Sequence, residues 1–164
     1  MEISTFKDLY LAELQELASA EREFIASVGR IAPMASHQRL KNALIRHCEE
    51  ADVQMQTVES ILRRHNADPA AHTDQAMQAL VREGDKMLSI LQGGEVRDAG
   101  LVASIQKLLH YRIAAYGTAA ALAGQLDYRD DQDMLHQSLE REKKVDKLLT
   151  QLAKTEVNRD ALAA

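Results

Sequence analysis

The residues Val96 to Gly124, VRDAGLVASIQKLLHYRIAAYGTAAALAG, decide the fold. The run follows a Gly93-Gly94 break and holds no proline. Apolar or small residues recur at Leu101, Ile105, Leu108, Ala115, Ala119, Leu122 and, just beyond the run, Leu126. Steps of four and three keep one stripe of an α-helix facing a partner. Arg112 falls midway between Leu108 and Ala115, where the pattern asks for an apolar residue. A charge in a core stripe is costly unless it is paired. Carboxylates are therefore expected at the same depth on neighbouring helices.

Working outward, the same period marks three more long helices. The first is expected over about 6–31, with Thr5 as N-cap and Asp8 completing a capping box. Its stripe reads Tyr10, Leu14, Leu17, Glu21, Phe24, Val28, Ile31, and Glu21 interrupts it. Pro33 and Ser36 mark the turn into a second helix over about 37–65. There the stripe is Leu40, Leu44, His47, Ala51, Gln54, Val58, Ile61, and His47 is the break, with Glu50 one turn on. The central run extends over about 95–126. A last helix over about 132–155 carries Leu135, Ser138, Glu142, Val145, Leu149 and Leu152, interrupted by Glu142. Glu156 to Ala164 reads as a fraying tail. Between the pairs, a shorter helix over about 73–91 belongs to a long connection.

Two antiparallel helix pairs joined by a long connection give an all-α, ferritin-like four-helix bundle. A crossover carrying a short extra helix joins its halves. Residues 1–164 form one domain in this reading. Composition agrees: 46% of residues are hydrophobic but only 4% aromatic, with no Trp, which favours helix over sheet.

Charge and targeting signals narrow the class. A net charge of −5 and the lack of a basic tail argue against nucleic-acid binding. The N-terminal MEISTFKDLY has no apolar signal core. Ile113 to Gly124 is too short for the roughly 20 apolar residues of a membrane span. One cysteine, Cys48, leaves no internal disulfide, so a cytoplasmic location is expected. Phosphate-binding glycine loops, nucleophile elbows and Cys-x-x-Cys pairs are absent from the sequence.

Each long helix has its polar break near the midpoint, so Glu21, His47 with Glu50, Arg112, and Glu142 with Asp146 should share one layer. Two chemistries fit such a layer. Carboxylates and imidazole can hold iron or manganese, as in di-metal bundles built from Glu and Glu-x-x-His. The candidate ligands are then Glu21, His47, Glu50 and Glu142. Alternatively Arg112 replaces the metal and bridges the glutamates through its fork of donors. No Glu-x-x-His stands on the second or last long helix; Glu49-x-x-Asp52 and Glu142-x-x-Val145 take those places. His47 also reads as a hydrogen-bonded core histidine. His110 lies off the stripe, His65, His72 and His136 read as surface residues near helix ends, and the methionines read as core filler.

At these residues the chain resembles the YciF-like family of bacterial ferritin-like stress proteins. The resemblance rests on Asp8-Leu9-Tyr10, Ala20-Glu21, His47-x-Glu49-Glu50, Val96 to Thr118, and Leu139-Glu140-x-Glu142-Lys143 with Asp146. It implies a dimeric ferritin-like bundle associated with bacterial stress. It also places Glu in the family at the positions held here by Leu109 and Arg112. The function expected is a stress-associated, non-enzymatic homodimer whose central layer is an ion-pair network or a degenerate metal site. The alternative is an iron- or manganese-dependent oxidoreductase acting on peroxide or oxygen.

Overall fold

The computed structural model describes residues 3–164, and every described element is helical. Helix α1 spans Phe6–Ile31, α2 Gln38–Arg64, α3 Gln75–Ile90, α4 Gly94–Gln125, α5 Arg129–Leu152 and α6 Asn158–Ala163. The Thr5–Asp8 capping box forms as the sequence predicts: Thr5 Oγ1 accepts from Asp8 N at 3.1 Å, and Asp8 accepts from Thr5 N at 2.8 Å.

Stops and starts have local causes. Helices α2 and α4 end in Schellman turns without glycine. Asn66 and Asp127 take the left-handed conformation, with φ 58° and 57°. Ala67 N then donates to Leu62 O at 2.9 Å, and Tyr128 N to Ala123 O at 3.0 Å. The N-cap of α2 is His37 rather than Ser36: His37 Nδ1 accepts from Leu40 N. Asp74 caps α3 by accepting from Met77 N at 2.8 Å.

Helices α1, α2, α5 and α4 form the bundle in that cyclic order. Helices α2 and α4 run parallel, because both N-termini meet at Asp98. Its carboxylate accepts from Ser36 N at 2.9 Å and His37 N at 2.7 Å. Returning the chain to that end is the task of the crossover, and α3 does so while packing on α1 and α4. The predicted ferritin-like, all-α arrangement is what the chain adopts.

Two expectations are corrected. In the second half of α4 the buried residues are Tyr116, Ala119, Ala120 and Ala123, while Ala115, Leu122 and Leu126 are half-buried. The C-terminus does not fray. A π-helical turn over Ala153–Val157 leads into α6, Val157 is buried, and Glu156 pairs with His37 and Arg39.

Candidate functional site

The polar layer forms where the stripes predict it. Glu21 from α1, His47 from α2, Arg112 from α4 and Glu142 from α5 meet in the bundle, all at 2% exposure or less. The layer divides the apolar interior into two clusters. Phe24, Leu44, Ile105 and Leu108 lie on one side; Leu17, Val58, Tyr116 and Leu135 lie on the other.

Arg112 organises the layer. Its Nη2 donates to Glu21 Oε1 at 2.8 Å and Oε2 at 2.7 Å, and Nε donates to Oε1 at 3.1 Å. Nη2 also reaches Gln54 Oε1 at 3.1 Å. Nη1 lies 2.8 Å from Glu142 Oε2 and 3.1 Å from His47 Nε2. The Glu142 contact is a charge pairing without an aligned hydrogen bond. Tyr116 donates its hydroxyl to Glu21 Oε1 at 2.7 Å, and Gln54 Nε2 donates to the Ser138 carbonyl at 3.3 Å. The guanidinium therefore touches side chains from three other helices.

Electrostatics follow from burial and from one cation facing two carboxylates. Burial opposes the charge on Arg112, but Glu21 and Glu142 outweigh it and hold the guanidinium above its ordinary value. Burial likewise opposes the Glu142 charge, yet Arg112 and His47 hold its carboxyl below the usual range. Glu21 moves the other way: burial, with Glu142 adding repulsion, pushes its carboxyl up against the pull of Arg112. Burial and the Glu21 carboxylate raise the Tyr116 phenol well above its ordinary value.

Two residues expected in the layer lie elsewhere. Glu50 is exposed and lines a surface groove between α2 and α5. Asp146 is half-buried and accepts from Gln106 Nε2 at 3.0 Å, with His110 Nε2 at 3.1 Å. Gln54 takes the place assigned to Glu50. It lies seven residues after His47, nearly two full turns, whereas a three-residue step swings about 60° off the stripe. Gln54 and Tyr116 are the layer members the sequence reading did not identify. The sequence places Gln54 on the α2 stripe two turns on from His47 without assigning it to the layer, and Tyr116 is four residues from Arg112.

A second polar cluster, also missed, closes the far end of the bundle. Asp131 accepts from Tyr10 Oη at 3.0 Å and lies 2.7 Å from His65 Nε2, with Arg64 also paired to it. His65 is half-buried here rather than a surface residue.

The donor set of the central layer does not fit a metal ion. A cation placed between Glu21, His47 and Glu142 would stand where the guanidinium is, and Arg112 carries the same sign of charge. Among the described residues no three His, Cys, Asp or Glu side chains converge as ligands. No described helix is long and apolar enough to cross a membrane.

Comparison with known proteins agrees with this architecture. Residues 5–162 match the family described as Domain of unknown function (DUF892). The chain is 35% identical to Protein YciF of Escherichia coli (strain K12) over 162 residues, 98% of each protein. It superposes on the crystal structure of that E. coli stress protein with a TM-score of 0.89 at 34% identity, covering 95% of this chain and 99% of the other. YcfI of Rhodopseudomonas palustris, described provisionally as a structural protein, gives a TM-score of 0.87 at 28% identity. That match covers 91% of this chain and 95% of the other.

Proposed function

The chain belongs to the DUF892, YciF-like family, and from that premise we propose that it is a stress-associated bundle acting without catalysis. Its centre is an ion-pair layer in place of a metal. The observation that carries this reading is the fully buried Arg112, forked onto Glu21 and paired with Glu142. A bundle that binds iron or manganese keeps carboxylates free to coordinate it; here both central carboxylates are committed to the guanidinium. A fixed, desolvated cation between them supplies cohesion and offers no exchangeable position to oxygen or peroxide.

The reading includes a cytoplasmic homodimer. Met34, Ile90 and Val96 are exposed apolar side chains at the end of the bundle where Asp98 meets the α1–α2 turn. Together they supply surface for a second copy. Function then lies in association, not in turnover.

Elemental analysis tests the centre. The protein is purified without chelator or affinity metal from cells grown with added iron and manganese. Far less than stoichiometric iron or manganese is the expected result. Near-stoichiometric metal that disappears in Glu21→Ala would overturn the proposal and install the oxidoreductase reading. Light scattering tests the dimer, with a mass twice that of the chain expected.

A further inference from the structure

Helices α2 and α5 pack much less closely than α4 and α5 do, and the space between them is a groove of about 710 Å³. That size lies within the range of about 300–1,000 Å³ that small-molecule sites occupy. Its floor includes Ala43, Val145, Leu148 and Leu152. Leu148, one turn before the end of α5, is 47% exposed.

The lip of the groove is cationic on a chain of net charge −5. Arg46, Arg141 and Lys144 line it, all three are exposed, and none has an ion-pair partner among the described residues. Arg39, at one end, is already held by Glu156. Among the described residues Glu50 is the one carboxylate that lines the groove. Three free cations facing one carboxylate make an unsatisfied positive field over an apolar floor.

His47 adds a second, independent observation. It lines the groove while belonging to the central layer, and it is 2% exposed. Its Nε2 lies 3.1 Å from Arg112 Nη1 and 3.5 Å from Glu142 Oε2, so that side of the ring is taken up by the layer. Nδ1 is buried and has no hydrogen-bond partner among the described residues. A buried ring nitrogen left in this state calls for a polar partner.

We propose that the α2–α5 groove is a binding site for a single-chain amphiphile with a carboxylate head, a free fatty acid of medium length. The head lies among Arg46, Arg141 and Lys144 above His47. The tail runs along Val145, Leu148 and Leu152, three residues on one side of α5 that span about 10 Å. Two copies pairing groove to groove would set these cations against each other, so a second copy of the chain does not complement this surface. The site shares His47 with the central ion-pair layer and otherwise uses residues outside it.

Calorimetric titration of the full chain with decanoate, below its micellar concentration, is the test. Decanol and acetate serve as the matched halves of the ligand. Saturable binding of decanoate at one per chain is expected, with decanol and acetate each at least about tenfold weaker. Shortening the acid should weaken binding roughly tenfold for every two methylenes. Arg46→Ala with Arg141→Ala, both on the surface, should cost at least about tenfold while circular dichroism stays unchanged. Leu148→Asp should abolish binding. The proposal is overturned if decanol binds as well as decanoate, or if the double arginine variant binds undiminished. It is equally overturned if only phosphatidylglycerol vesicles bind, or an acidic helical peptide displaces decanoate from a tighter complex. A Leu148→Asp protein that changes its oligomeric mass while the parent ignores decanoate would instead make the groove an interface between copies.

Discussion

The guanidinium carbon of Arg112 lies 3.9 Å from the centroid of the Phe24 ring. The cation thus has carboxylates around its edge and an aromatic face against its plane. Phe24 in turn meets His47 edge-on, with centroids 5.2 Å apart. In a site fully removed from water both contacts favour the charged form.

Truncating Arg112 should be severe. Arg112→Ala leaves Glu21 and Glu142 buried and uncompensated, which is expected to cost about 3–5 kcal/mol of unfolding free energy in urea. Arg112→Lys keeps the charge but loses the fork and the flat face over Phe24, and it should fail to restore the parent stability. An Arg112→Ala protein as stable as the parent would show that the layer contributes nothing.

Tyr116→Phe removes one hydroxyl and leaves the packing. That hydroxyl donates to the Glu21 carboxylate at 2.7 Å in a site closed to water. Hydrogen bonds to charged groups are worth about 1.5–3 kcal/mol, and a loss of that size is expected. Chemical denaturation checks it, and the helical circular dichroism should not change.

The phenols give a pH signature. Burial, followed by neighbouring carboxylates, raises Tyr10, Tyr111 and Tyr116 above the ordinary value of 10.0. These groups bind protons more tightly folded than unfolded. Their contribution to stability is therefore complete below pH 10 and is lost as pH rises toward their folded values. Near-ultraviolet difference absorbance should show these three phenols silent through pH 10 in the native protein and ionising together when it unfolds.

Asp98 should matter more than its place on α4 suggests. It stands in for a side-chain N-cap on another helix, accepting from Ser36 N and His37 N where the α2 dipole is positive. Asp98→Ala is expected to cost about 1–2 kcal/mol, the usual size of a lost cap. Amide exchange should quicken in the first turn of α2. Unchanged exchange there would show that the cap is dispensable.

Much of this was legible in the residues. The α1 stripe from Tyr10 to Ile31 and the α2 stripe from Leu40 to Ile61 are buried at every position named. The pairing of Arg112 with carboxylates follows from the cost of an isolated charge in those stripes. Legibility failed where contrast failed. After Arg112, α4 offers alanine or glycine on nearly every side, and a helix of small residues does not declare which face is inward. Leu152 and Val157, five residues apart, are both buried because a π turn lies between them, and a search at period 3.6 passes over that spacing. Asp131 and Asp98 escaped notice because their partners lie far away in sequence. Only the folded topology brings them together.

Arg112 has a consequence for how the helices find their alignment. Leucine and alanine stripes nearly repeat from one turn to the next. A helix displaced by a turn, about 5.4 Å, would still lay an apolar side against its neighbours. The arginine occurs once on its stripe. Such a slip would carry Glu21, Glu142 or Gln54 out of reach of the guanidinium and leave an unpaired ion in a dry interior. The layer thus acts as an index mark: it penalises the near-miss alignments that hydrophobic pattern alone would accept.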